Sequence, residues 1–450
     1  MKSAKWKTHL RYLCLQSLIL FFGTHGAGAD GGEDISLEGG ATTIKDNGEN
    51  SYDHSLANIH NKNELLRHEL GREGFRRDFA RTPIRGTVRI GPKFNNVSCI
   101  GCHQNNGRGN PEFTRHASQS VVKISKASGN SVVPGGPFPV GALGLQLRDH
   151  ATKGVTPDGE VYLSWKHLHG YYPDGTSYAL RKPLLSIRRT KLPRSAMFSL
   201  RRPPPIFGMG LLDAIPSSKI ASLADPNDSN RDGISGKANV VWDIDRQAKV
   251  IGKFGWKATS PSVSQQVATA YAIDMGVTNP LIPLGAINPD IDQQSLSGTI
   301  FYNQTLAVPA ARAQTSQLVQ RGKNLFISHN CNGCHVMTLD TGKYALKELS
   351  NQRIHPFTDL LLHDMGQELA DNRPEFEASG SEWRTPPLWG IGLTAKVLTR
   401  GEENYLHDGR ARSIEEAILW HGGESESAKQ SFLSSQAEDR QALITFLRSL

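Results

Sequence analysis

The chain has 450 residues, of which 38% are hydrophobic and 21% are charged, and its formal net charge is +8. This length allows two or three domains, each with its own core. The net charge falls to +4 once the four basic residues of segment 1–29 are set aside. A balance this modest argues against nucleic acid as a partner.

The N-terminal 62 residues lack the pattern of a folded domain. Residues 1–29 predict a secretory signal peptide, because four basic residues precede an apolar run and Ala27-Gly28-Ala29 offers a small-residue cleavage site. The apolar run, Tyr12–Phe22, is too short to span a bilayer comfortably. We therefore expect an exported, periplasmic protein without a stable membrane anchor. Residues 30–62, rich in Gly, Asp, Asn and Ser, predict a flexible leader.

Two copies of Cys-x-x-Cys-His contain every cysteine outside the predicted signal peptide. They are Cys99-Ile100-Gly101-Cys102-His103 and Cys331-Asn332-Gly333-Cys334-His335. This is the attachment signature of c-type haem: the two thiols bind the porphyrin and the histidine binds the iron. About 0.002 such motifs are expected by chance from this composition. A zinc site or a thiol–disulfide pair is the alternative, and it leaves both histidines unexplained.

Residues 63–292 are predicted to form the first haem domain. Glu64–Phe79 predicts a charged helix ahead of the motif. Beyond the motif, Arg108 lies in a polar turn and is either a ligand of a haem propionate or a solvated arginine. Val161–Trp165 and Tyr178–Leu180 flank a Pro-Asp-Gly turn and predict a β-hairpin, so this domain carries a β-containing insertion.

Two polar segments follow the hairpin. A basic run either docks an acidic redox protein or forms a solvated face; its members are Arg181, Lys182, Arg188, Arg189, Lys191, Arg194, Arg201 and Arg202. Further on, Asp228, Asn230 and Asp232 place oxygen ligands at positions 1, 3 and 5 of an EF-hand-like loop. Position 12 is Asn239 instead of glutamate, so a calcium site and an Asx-rich turn both remain open.

The C-terminal part of the chain repeats the haem pattern. Residues 293–316 predict a linker, and residues 317–450 predict a second, cytochrome c-like haem domain. Leu318–Phe326 predicts a helix that runs into the second motif, and Leu443–Leu450 has apolar residues at i, i+3, i+4 and i+7. We expect these two helices to cross. The predicted fold class is mainly α, with two cytochrome c-like haem domains and a β-containing insertion.

Several longer segments resemble the bacterial di-haem oxidoreductases, a family grouped with peroxidases and also called thiol oxidoreductases. The matching segments are Phe94–Cys99 with the following Gly-Arg-Gly, Pro203–Leu212, Phe254–Ala258, Asp359–Gly366, Trp383–Gly390 and Leu406–Ala411. More distantly, the chain is similar to di-haem cytochrome c peroxidases, which have two cytochrome c-like domains bridged by a tryptophan. The resemblance implies two haem c groups and a peroxidase-like reaction.

The resemblance also implies a distal ligand for the second haem. In the relatives this ligand lies fourteen residues after the histidine of a Tyr-x-His-x-Gly segment. That segment is Tyr405–Gly409 here, and fourteen residues after His407 is His421. The relatives have methionine or tyrosine at this position, and a histidine would give the haem a lower reduction potential than methionine. Met365 is the competing ligand.

For the first haem, the resemblance implies a distal acid at Asp274, a bridging tryptophan at Trp256 and a distal glutamine at Gln265 or Gln266. Asp274 would take a proton from peroxide and return it to the leaving oxygen. A helix-capping aspartate and a packed core tryptophan are the alternatives.

These residues together predict a peroxidase-like di-haem protein. Electrons would enter from a small redox protein at the His335 haem and cross by way of Trp256 to the His103 haem, where hydrogen peroxide is reduced. One alternative is an electron carrier with both irons six-coordinate, in which His116 or Met275 closes the first haem. Another is an oxidase of protein side chains or thiols, although no cysteine is left to act as a thiol relay. Three further arginines are predicted to anchor propionates or to form surface pairs: Arg384, Arg410 and Arg412.

Overall fold

The computed structural model describes residues 34–81, 90–398 and 403–450. In these ranges the chain forms eleven α-helices, α1 (Lys62–Arg76), α2 (Cys99–Cys102), α3 (Met209–Asp213), α4 (Ser217–Leu223), α5 (Val263–Asp274), α6 (Gln293–Gln304), α7 (Gln317–Ser328), α8 (Thr394–Val397), α9 (Ile414–Leu419), α10 (Glu426–Ser434) and α11 (Ala437–Ser449). The predicted signal peptide, residues 1–29, lies outside the described residues. None of the helices in the described ranges has the length and apolar character needed to cross a bilayer.

Short strands accompany the helices. In the same ranges they are β1 (Lys93–Phe94), β2 (Val121–Lys126), β3 (Gln146–Leu147), β4 (His150–Ala151), β5 (Glu160–Tyr171), β6 (Ser177–Arg188), β7 (Ala196–Arg201), β8 (Val240–Asp243), β9 (Ala248–Ile251), β10 (Leu339–Asp340), β11 (Arg353–Ile354), β12 (Leu362–Asp364) and β13 (Glu382–Arg384). The largest sheet has three antiparallel strands in the order β3-β2-β7, and the others have two. The fold is therefore mixed and not clearly the mainly α fold that the sequence predicted, because helices account for a minority of the residues.

The predicted β-hairpin is confirmed and is longer than its sequence signal. β5 and β6 pair in continuous antiparallel register over twelve residues each. The end of the hairpin packs on the C-terminal part of the chain. There the Tyr172 hydroxyl donates to Glu415 at 2.6 Å, and the Arg440 guanidinium donates to Asp174 at 2.6 Å.

Much of the basic run is used inside the molecule. Arg201 and Arg202 are buried. The Arg181 guanidinium stacks on an indole ring, with its Cζ 4.0 Å from the centroid of Trp165. Lys182 forms an ion pair with a glutamate at 2.9 Å. These four side chains are therefore committed to intramolecular contacts.

The predicted flexible leader packs against the core from residue 34 onward. Ile35, Tyr52 and Leu56 are each at most 2% exposed. The Tyr52 hydroxyl also donates to the carbonyl of Gly390 at 2.5 Å. Few apolar residues are enough to fix this segment, because each of them lies in a core built by distant parts of the chain.

The predicted linker contains helix α6. The Asp292 side chain caps this helix by accepting from the Ser295 N–H at 2.8 Å. α6 packs closely on α1, where a Cβ on Gly71 would come within 2.2 Å of the Gly298 carbonyl oxygen. Residues 34–450 form one compact unit, and the predicted boundaries between two haem domains stay a prediction.

Helices α7 and α11 cross beside the second motif, as the sequence predicts. A glycine makes the close approach possible, since a Cβ on Gly322 would come within 2.1 Å of the Ala442 carbonyl oxygen. Phe326 of α7 contacts Phe446 of α11 and Phe357, with ring centroids 5.5 and 5.9 Å apart. This aromatic cluster forms the core behind the second motif.

Candidate functional site: two cavities with Cys-x-x-Cys-His motifs

The first motif forms a tight helical turn that presents a neutral imidazole. The Ser98 side chain caps α2 by accepting from the Gly101 N–H at 3.1 Å, and a Cβ on Gly101 would come within 2.2 Å of Asn96. His103 donates from Nδ1 to the Pro204 carbonyl at 2.9 Å, which leaves Nε2 available as an iron ligand. Burial lowers the pKa of His103 to about 4, so the imidazole is neutral, as a metal ligand requires.

The second motif presents its histidine in the same way. Its turn begins after Asn330, whose φ of 59° lies in the left-handed region. His335 donates from Nδ1 to the Phe357 carbonyl at 2.8 Å, and burial lowers its pKa to about 4. Burial raises the pKa of Cys99 and of Cys331 to about 12, so neither is a thiolate at neutral pH. Because thiol exchange requires a thiolate, the raised pKa values of these cysteines do not favour it.

A cavity of about 290 Å³ lies against the first motif. Among the described residues, His103 is the sole histidine on its wall, and His116 is exposed to solvent elsewhere. Seven of the residues singled out from the sequence line this cavity: Arg108, Trp256, Gln265, Gln266, Asp274, Met275 and Arg384. The structure thus brings together the acid, the glutamines and the tryptophan that the resemblance implies for the first haem.

Asp274 ends helix α5, and its partly exposed carboxyl lies on the wall of the first cavity. Its side chain accepts a hydrogen bond from Gln146 Nε2 at 2.7 Å. Burial raises the pKa of Asp274, and the charge of Lys123 together with the Gln146 hydrogen bond partly offsets that rise. A carboxyl in this state can both accept and release a proton near neutral pH more readily than an exposed aspartate.

The two candidate glutamines have different roles. Gln265 is tied to the backbone of the β8 region: its Oε1 accepts from the Ile244 N–H at 2.8 Å and its Nε2 donates to the Trp242 carbonyl at 3.0 Å. Gln266 lies two helical turns before Asp274, on the same face of α5. Gln266 is therefore the glutamine that the fold leaves available to the cavity.

Sequence analysis did not find Lys123 and Gln146. They come from strands β2 and β3 of the insertion, and Lys123 lines the first cavity. Gln146 also donates to Asn95, just ahead of the motif, at 2.8 Å. A polar residue within a strand pattern does not reveal which distant element it faces, so no signal in the sequence identified either residue.

A second cavity, of about 170 Å³, lies against the second motif and is lined by His421 and Met365. His421 donates from Nδ1 to the Ala417 carbonyl at 2.7 Å, which leaves Nε2 free, and burial lowers its pKa. His335 and His421 both line this cavity. Met365 instead has its sulfur 3.8 Å from the Ser425 hydroxyl. Local geometry therefore favours His421 over Met365 as the distal ligand.

His363 supports the second cavity and was not predicted. Its Nε2 lies 2.8 Å from Asp359, and its Nδ1 lies 2.8 Å from Glu424. The two carboxylates raise the pKa of His363 and hold it as an imidazolium. Because carboxylates engage both ring nitrogens of His363, neither nitrogen is available to bind iron. The buried imidazolium instead stabilises the wall of the second cavity beside Cys334.

The two cavities share part of one wall. Its members are Arg108, Trp256, Arg384, Pro386 and Ile391. The Trp256 indole N–H donates to the Arg202 carbonyl at 2.7 Å, which fixes the ring. On the side of the second cavity, Trp256 meets His407 edge to face at a centroid distance of 6.5 Å, and Trp383 stacks on His407 at 3.7 Å.

Two of the predicted propionate ligands lie elsewhere. The Arg410 guanidinium donates to Asp408 and to the Glu368 carbonyl, and it lines neither cavity. Arg412 forms an ion pair with Glu416 at 2.7 Å, which is the surface pairing given above as the alternative to a propionate contact. Arg384 lines both cavities and donates from Nε to the Gly255 carbonyl at 3.0 Å.

The loop with the predicted calcium ligands satisfies its carboxylates internally. Asp228 accepts from the backbone N–H groups of Asp232 and Gly233, and Asn230 donates to Asp232 at 2.9 Å. Asn239, at position 12, is buried and donates to the Lys257 carbonyl. In the part of the chain that the structure describes, no group of three or more His, Cys, Asp or Glu residues is arranged to hold a metal ion. Calcium binding stays a prediction, and the geometry is that of an Asx-rich turn.

The residues present fit haem. Each motif lies at its own cavity with a neutral histidine, and the buried Arg108 Nε has no hydrogen-bond partner. Two such sites define a di-haem protein.

Comparison of the sequence with known families agrees with this class. The chain matches the family described as "Di-haem oxidoreductase, putative peroxidase" over residues 33–290 and 286–450. It therefore belongs to the di-haem oxidoreductase family. Comparison with curated proteins gives no significant match.

Among solved structures, the chain is similar to hydrazine synthase from Kuenenia stuttgartiensis, determined under xenon pressure. The sequence identity is 13%, the alignment covers 93% of this chain and 99% of that chain, and the TM-score is 0.37. A likeness at this level does not bear on the site.

Proposed function

We propose that this protein is an exported di-haem peroxidase, with both haems attached covalently at the Cys-x-x-Cys-His motifs. Electrons from a small redox protein enter at the His335 haem, cross the shared wall by way of Trp256, and reduce hydrogen peroxide at the His103 haem. Two electrons and two protons convert one peroxide molecule to two water molecules. The haem irons supply the one-electron redox chemistry when they are bound.

The observation that carries this proposal is the difference between the two cavities. The second is lined by both His335 and His421, whose Nδ1 atoms are bound to carbonyls, so two imidazole Nε2 atoms would be available to hold a haem iron and favour electron storage there. The first has the carboxyl of Asp274 and the amide of Gln266 on its wall, with no second histidine among the described residues. A di-haem peroxidase needs one site that passes on electrons and one site with a proton donor. The second cavity fits the former role and the first cavity fits the latter.

Asp274 is the proposed catalytic acid and base. It would accept a proton from one peroxide oxygen and donate it to the leaving oxygen. Gln146 orients the carboxyl, and the charge of Lys123 opposes the rise of its pKa. Gln266 orients the peroxide through its amide.

One observation favours a second function, that of an electron carrier. Met275 is 2% exposed and lines the first cavity, so its thioether can serve as a sixth ligand to the first iron. Both irons would then be six-coordinate, and peroxide would have no site.

Low-temperature EPR of the purified protein, fully oxidised and then half-reduced, separates the two functions. We expect a high-spin ferric signal from the first haem in at least one of these states, since an open position gives that spin state. Two low-spin signals that persist through half-reduction would overturn the peroxidase proposal and support the electron carrier.

A further inference from the structure

Arg108 is placed where both cavities meet. It follows the first motif by five residues, and the chain beside it is fixed because a Cβ on Gly109 would come within 2.6 Å of the Cys102 carbonyl oxygen. Its side chain is 5% exposed and lies over Tyr405, with the guanidinium carbon 5.0 Å from the ring centroid. It therefore links the segment after the first motif to the Tyr-x-His-x-Gly segment of the second.

The buried Arg108 Nε has no hydrogen-bond partner. Among the described residues no carboxylate forms an ion pair with the guanidinium, and the charge of Glu403 acts on it only from a greater distance. The other buried arginines near it are satisfied: Arg202 donates to the Gly109 and Glu403 carbonyls, and Arg384 donates to the Gly255 and Thr385 carbonyls. Burying a guanidinium donor without a partner is costly, so the Nε–H group is available to an anion that the fold does not itself supply.

Both cavities include Arg108 in their walls. Trp256, the neighbouring polar member of that shared wall, has its only donor bound to the Arg202 carbonyl. An anion in either cavity can therefore reach the Arg108 guanidinium. A guanidinium carries five donors in a planar fork, which is enough to bind two carboxylates at once.

We propose that Arg108 is a positioning residue shared by the two haems, whose guanidinium binds one propionate carboxylate from each cavity. Its single positive charge then acts on both irons. Reduction of one haem changes the charge that Arg108 balances and so alters the potential of the other. This inference depends on haem occupancy of both cavities, and it does not depend on peroxide as the substrate.

The test is potentiometric titration of the full-length holoprotein, with the two haems resolved by their optical and EPR signals. Removal of a nearby cation stabilises the oxidised state, so Arg108→Gln should shift both midpoint potentials to more negative values. Arg108→Lys keeps the charge on a flexible stem but loses the fork, so its two shifts should have the same sign and be smaller. Covalent haem content of two per chain confirms that a variant is assembled.

A control is Arg412→Gln, which removes an arginine that pairs with Glu416 and lines neither cavity. It should leave both midpoint potentials close to those of the wild type. The inference is overturned if Arg108→Gln, or Arg108→Lys where the glutamine variant does not assemble, shifts one midpoint only or neither. Because no peroxide is used, failure of the peroxidase proposal would leave this result unaffected.

Discussion

The pKa of Asp274 depends on residues from a part of the chain more than a hundred positions away. Lys123 and Gln146 lie in the insertion, and both favour the charged form of the carboxyl against the effect of burial. In the proposed mechanism Asp274 supplies the acid–base chemistry, and the insertion adjusts the pKa of its carboxyl.

Substitution Asp274→Asn should lower kcat/KM for peroxide by about 10²–10⁴-fold, the usual contribution of a positioned acid–base group. The wild-type rate should fall as the pH drops through the raised pKa of Asp274, because the protonated carboxyl cannot accept the peroxide proton. That acidic limb should vanish in Asp274→Asn and move to higher pH in Lys123→Met, since loss of the cation raises the pKa further.

Steady-state peroxide reduction with a reduced small cytochrome, followed across pH, is the measurement. Asp228→Asn is a suitable control, because that carboxyl lies in an exposed loop whose hydrogen bonds are local. An Asp274→Asn protein with the wild-type rate and acidic limb would remove Asp274 from the mechanism.

Among the secondary-structure elements, those that depend on a local sequence pattern were predicted from the sequence. The motif turns, the β5–β6 hairpin and the crossing helices α7 and α11 each follow from spacing, turn chemistry or apolar periodicity. Helix α6 and the packed segment after residue 34 were not predicted, because their few apolar side chains are buried only by long-range contacts. The same reason explains why the insertion's part in the first cavity was not foreseen.

The crossing of α7 and α11 gives a direct test of packing beside the second motif. Gly322→Ala should destabilise the protein by about 1–3 kcal/mol, the usual cost of overpacking, since its Cβ would meet the Ala442 carbonyl oxygen at 2.1 Å. Calorimetry measures the change. Asn324→Ala, on the exposed face of the same helix, should leave the melting temperature nearly unchanged. Equal melting temperatures for the two variants would mean that the helices separate at no cost.

At the scale of the whole molecule, the shared wall joins the two sites, because the same residues line both cavities. Its residues come from positions 108 to 391, so sequence alone indicated the members Arg108, Trp256 and Arg384 separately but not that they form one surface. The shared wall therefore forms only when these distant parts of the chain have folded together.

Trp256→Phe should slow electron transfer between the haems and reduce peroxide turnover, while the spectrum of each haem stays as in the wild type. The phenyl ring keeps the packing but loses the redox-active indole. Stopped-flow reduction, with each haem followed at its own wavelength, measures this step. The control is Trp389→Phe, which alters a buried tryptophan of the first cavity alone. Unchanged transfer in Trp256→Phe would assign the path to other residues.

The burial of the first motif also constrains the order of events when the protein is made. Cys102 is 9% exposed, and the cavity beside it is closed by side chains as far along the chain as Thr394. If haem is attached to Cys102, as proposed, a thiol so enclosed would be hard for an attachment enzyme to reach once the chain has folded. Attachment would then have to come before the C-terminal part docks, and the last stage of folding would take place around the bound group.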